Sequence, residues 1–274
     1  MTQRRIPNTV TIAGVDPSGG AGILADVKAM SALGAYACAV VAALTAQNTQ
    51  AVAGVLAVPG DFVRAQIDTL FADVAIDAAK IGMVGQVPVI EAVAAGLTRW
   101  QPLHVVLDPV MVAKSGDPLL EKAAVGALRE ALLPLATLIT PNLPEAGALL
   151  DGRAPDNLKE MYRAAERLRE KMAHAGNRWV LLKGGHLPGA EAVDLLTDGD
   201  RMIELAAPRV ATKNTHGTGC TLSAALAALL PQTADVPEAA RRAKAYLTEA
   251  LKHADALNVG KGHGPVHHFH AMWE

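Results

Sequence analysis

Residues 9–43, TVTIAGVDPSGGAGILADVKAMSALGAYACAVVAA, decide the fold. A β-branched run (9–13) leads into a loop of small residues (14–22), a helical pattern reaching Leu33, and a second strand-like run (38–43). Strand, turn, helix and strand in this order form a βαβ unit, whose crossover joins parallel strands. The same alternation continues along the chain. Further strands are expected at 78–81, 104–107, 138–139, 179–182 and 192–196, with an edge strand at 52–58 that Pro59 ends. Helices are expected from Gly60 onward, and over 87–99, 119–133, 158–175, 221–230 and 237–256. The polar stretch TAQNTQ (45–50) reads as a turn. The expected class is α/β in three layers, a mostly parallel central sheet with helices on both faces.

Composition agrees with that architecture. Hydrophobic residues make up 51% of the 274 residues but aromatics only 3%, so Ala, Val, Leu and Ile must build the core. Such side chains suit helices packed closely on a parallel sheet. One domain over 1–274 is expected, with a small appended sheet. The turn-rich DGRAPDN (151–157) reads as an interruption within it, because the βα pattern continues on both sides. A net charge of -2 and a pI near 6.5 offer no electrostatic reason for a nucleic acid or anionic membrane partner. No apolar run approaches a membrane span, and MTQRRIPNTV lacks a signal-peptide core, so a cytoplasmic location is expected. The two cysteines, Cys38 and Cys220, belong to no CxxC pair, which argues against a disulfide framework or structural zinc. Cys38 reads as core.

Ligands of open parallel sheets sit at the carboxyl ends of the strands. The residues found there are unusually polar: Asp16, Ser18, Gln47, Asn48, Met83, Asp108, Asn142 with Glu145, Lys183, His186, and NTHGTGC (214–220). In the last segment glycines and short polar side chains meet a helix start, so free amides and the helix dipole converge on an anion site. A thiol there, Cys220, is expected to ionise more easily than a free cysteine. A plain helix start with a small buried hydrophobe is the bland alternative. PSGGAGILADVK (17–28) offers close backbone approach to a ligand, or simply a tight turn. It matches neither a Walker A motif nor a dinucleotide fingerprint. Asp26 faces the rim, or else caps and solvates its helix. Asp108 and Glu145 are suited to hold hydrated Mg2+ against phosphate, since that ion keeps waters and takes few protein ligands. In NLPE, Asn142 and Glu145 also match a capping box, and both roles are compatible. Lys183, followed by two glycines, presents a cation beside open space. The histidines of GKGHGPVHHFH (260–270) fit no zinc spacing and suggest an ordered tail packed on the body.

In the order DPSGGAG, DPVM, NLPE, KGGH and NTHGTGC, these motifs resemble the ribokinase superfamily. Over nearly the whole chain they resemble more closely its bacterial hydroxymethylpyrimidine and phosphomethylpyrimidine kinases of thiamine biosynthesis. The resemblance implies ATP-dependent phosphorylation of 4-amino-5-hydroxymethyl-2-methylpyrimidine, then of its monophosphate, by an enzyme usually assembled as a homodimer. It implies that Gln47 bonds the aminopyrimidine edge, with Gly14, Asp26, Met83 and Val110 around it. It assigns Asp108 and Glu145 to Mg2+ and phosphate, and Asn142, Lys183, Thr218 and Gly219 to the nucleotide. Cys220 stands where many superfamily members carry a catalytic aspartate, with Gly217, Thr218, Gly219 and Lys183 neutralising charge. A thiolate is needed for the neutral alcohol and not for the anionic monophosphate. Two alternatives are a pyridoxal kinase of the same superfamily and a pyrimidine-binding sensor without turnover.

Overall fold

The computed structural model describes residues 5–113, 116, 119, 122–173 and 176–273. Among them, nine strands form one sheet: β1 (Asn8–Val15), β2 (Tyr36–Gln47), β3 (Val52–Ala57), β4 (Ala78–Ile81), β5 (His104–Leu107), β6 (Leu138–Ile139), β7 (Trp179–Leu182), β8 (Glu191–Thr197) and β9 (Met202–Pro208). Their spatial order is β3-β2-β1-β4-β5-β6-β7-β8-β9. The six strands from β2 to β7 in that order run parallel, and β3, β8 and β9 add antiparallel edges. The expected appended sheet is therefore a continuation of the main one. Chain order reverses beside β1, which places a crevice outside the carboxyl ends of β1 and β4.

Helices cover both faces. Val10, Ile12, Ile81, Leu107 and Ile139 meet α2 (Gly60–Asp73), α3 (Val87–Trp100), α4 (Lys122–Ala127), α5 (Leu143–Leu149) and α6 (Leu158–Lys171). Val106, Leu138, Trp179 and Leu181 meet α1 (Gly22–Ala32), α7 (Thr218–Leu229) and α8 (Val236–Lys252). Alternation along β4 puts Lys80 on this second face, fully buried. The helix α7 is apolar all round, with buried residues from Thr221 to Leu229, as a helix buried inside the molecule should be.

Several expectations need correction. The strand β2 runs on through Gln47, because Thr45, Ala46 and Gln47 pair antiparallel with β3, so the turn shrinks to 48–51. The strand β9 was absent from the expected elements, and β1 reaches Val15. The helix expected over 119–133 is α4 followed by a π segment, Leu128–Leu132, and a 3-10 turn at Leu133–Leu135. Its residues 120–121, and residues 174–175 at the end of the helix expected over 158–175, lie outside the described residues. The helix α7 begins at Thr218 rather than 221, which puts Cys220 inside its first turn. Cys38 is half-buried against the core rather than within it. Among the described residues no helix is long and apolar enough to cross a membrane.

Candidate active site

The helix α7 opens at Gly217, whose φ of 73° is left-handed, and a Cβ there would lie 1.8 Å from the Gly20 carbonyl oxygen. Only glycine permits that turn. The first-turn amides have no intrahelical partner, and residues 217–220 are half-buried, so their donors border the rim. His216 secures the turn from below. Its Nε2 donates to Asp16 Oδ2 at 2.7 Å, and Asp16 also accepts from the Ser18 hydroxyl and amide and from the Ala21 amide. Burial pushes the Asp16 carboxyl up, but the bonds from His216 and Ser18 outweigh it and hold it low. The loop after β1 and the loop before α7 are thus locked together.

Beneath them lie two buried ion pairs. Lys183 Nζ is 2.9 Å from Asp108 Oδ1, which also accepts from the Thr140 hydroxyl, while Ser223 Oγ donates to Asp108 Oδ2. A single parallel bridge joins Asn142 to Lys183, so the NLPE turn stands beside this pair. There Asn142 Oδ1 accepts from the Glu145 amide and Glu145 Oε2 accepts from the Asn142 amide, the capping box the motif predicts. Burial pushes the Glu145 carboxyl up to about 7; Lys183 opposes this and the Asp108 carboxylate adds to it. Lys183 and Lys80 hold the Asp108 carboxyl low against its burial, whereas Glu145 is left undercompensated, and a divalent cation would supply the missing charge. Among the described residues no cluster of three or more His, Cys, Asp or Glu side chains could hold a metal, so two carboxylates and water would have to suffice.

The second pair is Lys80 Nζ with Asp26 Oδ2 at 2.8 Å, both side chains fully buried, with the Thr11 hydroxyl 2.6 Å from the same oxygen. Burial alone would lower the Lys80 ammonium, yet Asp26 holds it above the usual lysine range. Asp26 therefore neither caps α1 nor faces solvent, and its Oδ1 is buried with no hydrogen-bond partner. Cys220 senses Lys80, Asp26 and Asp108, and the Gly22 amide also favours its thiolate. Burial pushes the thiol up to about 11; Lys80 pulls it down, and Asp26 and Asp108 push it further up. The expected drop in thiol pKa is thus reversed, because desolvation beside two carboxylates outweighs the helix field.

At the other end, Met83 Cε lies against Gly14, close enough that a Cβ on Gly14 would come within 2.3 Å of it. Gln47 Oε1 accepts from the Thr45 hydroxyl, which also bonds the Val15 carbonyl next to Gly14. The Val110 amide donates to the Asp108 carbonyl, a tight turn that starts the DPV segment. Gly219 completes the link, since a Cβ there would be 3.2 Å from Lys183 Nζ. The structure therefore brings Asp108, Lys183, Gly219, Asn142 and Glu145 into contact, sets Cys220 within electrostatic reach of Asp108 and Asp26, and packs Gly14 against Met83. Gln47 joins through Thr45, Val110 follows Asp108 in the chain, and Thr218 stands in the first turn of α7. Lys80 and Ser223 were missed, and His216, although inside the rim segment NTHGTGC, was given no role. Lys80 carried a signal, a charge inside the apolar run AAKIG, but its partner Asp26 is 54 residues away.

A strand-end crevice that joins a helix-start amide nest to buried lysine–carboxylate pairs defines an anion-handling α/β site of the phosphoryl-transfer kind. The sequence pattern of the phosphomethylpyrimidine kinase family matches residues 16–267. The chain is 54% identical to Escherichia coli hydroxymethylpyrimidine/phosphomethylpyrimidine kinase over 266 residues, 97% of this chain and 98% of that protein. Two solved structures share its ribokinase-like fold. An ADP complex of Bacillus subtilis pyridoxal kinase superposes with a TM-score of 0.89 at 35% identity, covering 98% of this chain and all of that one. Phosphomethylpyrimidine kinase from Clostridium difficile gives 0.78 at 39% identity, covering 90% of this chain and all of that one. The chain belongs to the phosphomethylpyrimidine kinase family.

Proposed function

We propose that this kinase transfers the γ-phosphoryl group of ATP to the hydroxymethyl oxygen of 4-amino-5-hydroxymethyl-2-methylpyrimidine, and then to the monophosphate, giving the diphosphate used in thiamine biosynthesis. The observation that carries the reading is the meeting, at the first turn of α7, of the Cys220 thiol, the Lys183–Asp108 pair and the open backbone of Gly219. These are a base, a cation and a phosphate cradle in one place. The 54% identity to the Escherichia coli enzyme supports the substrate, and the ADP held by the Bacillus subtilis relative supports the donor.

In this reading Gln47 presents an amide donor and acceptor to the aminopyrimidine edge, with Gly14, Met83 and Val110 walling the pocket. The free oxygen of Asp26 supplies a buried acceptor that a substrate amino or hydroxyl group satisfies. Cys220 takes the alcohol proton in the first transfer, and in the second the attacking oxygen is already anionic. Amides of Gly217, Thr218 and Gly219 and the ammonium of Lys183 receive the charge that develops on the transferred group. Asn142 contacts the nucleotide phosphates. Mg2+ would be held by Asp108 and Glu145 through water, and would supply further charge neutralisation. One domain carries both transfers, in a cytoplasmic homodimer.

Coupled ADP-release assays with the aminopyrimidine alcohol and with pyridoxal test the substrate. The alcohol should dominate by kcat/KM. Dominant turnover of pyridoxal would overturn the assignment, and binding of the alcohol without ADP release would make the protein a sensor.

A further inference from the structure

The carboxyl-terminal segment takes no part in the chemistry above, yet it touches both ends of the crevice. At one end the Gly262 amide donates to Thr49 Oγ1 at 3.1 Å and the His263 amide donates to the Thr49 carbonyl at 3.0 Å. Thr49 lies in the turn two residues beyond Gln47. At the other end the Gly264 carbonyl accepts from the His216 amide at 3.0 Å, and His216 forms a parallel bridge with Pro265. His216 directly precedes Gly217 and carries the bond to Asp16. The segment then continues inward, where Val266, His267 and His268 are buried and His268 Nε2 lies 3.0 Å from the Thr221 hydroxyl on α7.

Neither junction has slack. A Cβ on Gly262 would come within 2.1 Å of the Thr49 carbonyl oxygen, and one on Gly264 within 2.2 Å of Asn214 Oδ1. Asn214 is itself fixed, donating to Asp255 Oδ1 at 2.7 Å.

We propose that residues 260–268 are a positioning strap, which sets the separation between the end of β2 at Gln47 and the amide nest at Gly217. Phosphoryl transfer requires the pyrimidine hydroxyl and the γ-phosphoryl group to meet in line, and a misplacement of ~1 Å costs about a hundredfold in rate. The two partners are bound by different segments of chain, the end of β2 and the start of α7. The strap ties those segments at Thr49, two residues beyond Gln47, and at His216, the residue before Gly217. The inference rests on the assignment of Gln47 to the pyrimidine.

Three variants of the full-length enzyme test it. Thr49→Val keeps the shape and removes the acceptor for Gly262. With the turn beside Gln47 no longer held, its ordering is charged to substrate binding, so KM for the aminopyrimidine alcohol should rise by up to about tenfold, the upper worth of one hydrogen bond, with kcat and the KM for ATP changed less than about twofold. Gly264→Ala pushes Asn214 and the nest, and should lower kcat for both transfers about ten- to a hundredfold while KM for the alcohol holds. Adding Asn214→Ala to Gly264→Ala removes the clashing side chain and should restore much of kcat. Gln47→Ala is the control. A raised KM in Gln47→Ala with an unchanged KM in Thr49→Val overturns the strap alone. An unchanged KM in Gln47→Ala overturns the pocket assignment and the strap with it. Losses of kcat and KM together in every variant, in step with a lowered Tm, also overturn it, because the segment is then only structural. If Gly264→Ala fails to accumulate, the split in Thr49→Val decides.

Discussion

Titrating the alcohol step against pH bears directly on Cys220. A thiol with the ordinary value of 9.0 is ionised to about one part in ten at pH 8. Pushed up to about 11, it is ionised to about one part in a thousand, a hundredfold smaller supply of base. Because kcat/KM reports the free enzyme, its value for the aminopyrimidine alcohol should climb close to tenfold per pH unit from about pH 7 to 9.5. The monophosphate is already dianionic there, with a second pKa of about 6, so its kcat/KM should stay nearly flat. Cys220→Ala should abolish the slope and cost the alcohol reaction about 10²–10⁴-fold, the usual worth of a positioned base. The same substitution should cost the second transfer far less. Coupled ADP release with each substrate at saturating ATP measures all four profiles. Parallel profiles for the two substrates, or equal losses in Cys220→Ala, would refute the base assignment.

Other perturbations follow from the buried charges. The folded-state value of Glu145, about 7, lies above its ordinary 4.5, so its protonated form is favoured in the fold; that contribution is complete below pH 4.5 and is lost as pH rises through 7. Glu145→Gln should therefore stabilise the metal-free protein by up to roughly 3 kcal/mol at pH 8 and by almost nothing at pH 4.5. Urea unfolding at both pH values checks this, and no gain at pH 8 contradicts it. Lys80→Met strands Asp26 in the core and should cost about 3–5 kcal/mol, with most of it recovered in the Lys80→Met/Asp26→Asn double variant; a single variant within 1 kcal/mol of wild type in denaturant melts would rule out the paired charge. Gly217→Ala forces a side chain into left-handed backbone and against Gly20. It should cost about 1–3 kcal/mol and depress both transfers together, and selective loss of only one would count against the shared cradle.

The parts of the fold set by local pattern were legible in the sequence. The runs at β5, β6 and β7 are short, mostly apolar and bounded by turn residues, so local pattern located them, and the strand-end rule then collected the rim. The second half of β2 was not legible, because TAQ is polar and becomes strand only through pairing with β3. Nor was Lys80, since a lysine inside AAKIG conflicts with a buried strand until Asp26 and Thr11 are brought to it from elsewhere in the chain. Cys220 shows the same limit in electrostatics. The helix start is a local signal and pointed toward an acidic thiol, whereas the desolvation and the neighbouring Asp26 and Asp108 are tertiary facts, and they prevail. The carboxyl-terminal segment is an ordered tail, as the apolar and aromatic residues between its histidines suggested, but the contacts of Gly262 and His263 with Thr49, and of Gly264 and Pro265 with His216, could be seen only in the folded chain.

In the proposed function one crevice performs both transfers on a pyrimidine. A single-turnover experiment tests it most directly, with enzyme and Mg-ATP in excess over the labelled aminopyrimidine alcohol and products resolved over time. The monophosphate should appear first and pass to the diphosphate on the same enzyme, with Cys220→Ala blocking the first product while still converting added monophosphate. Absence of any phosphorylated pyrimidine, or a Cys220→Ala enzyme equally impaired from either starting point, would contradict it.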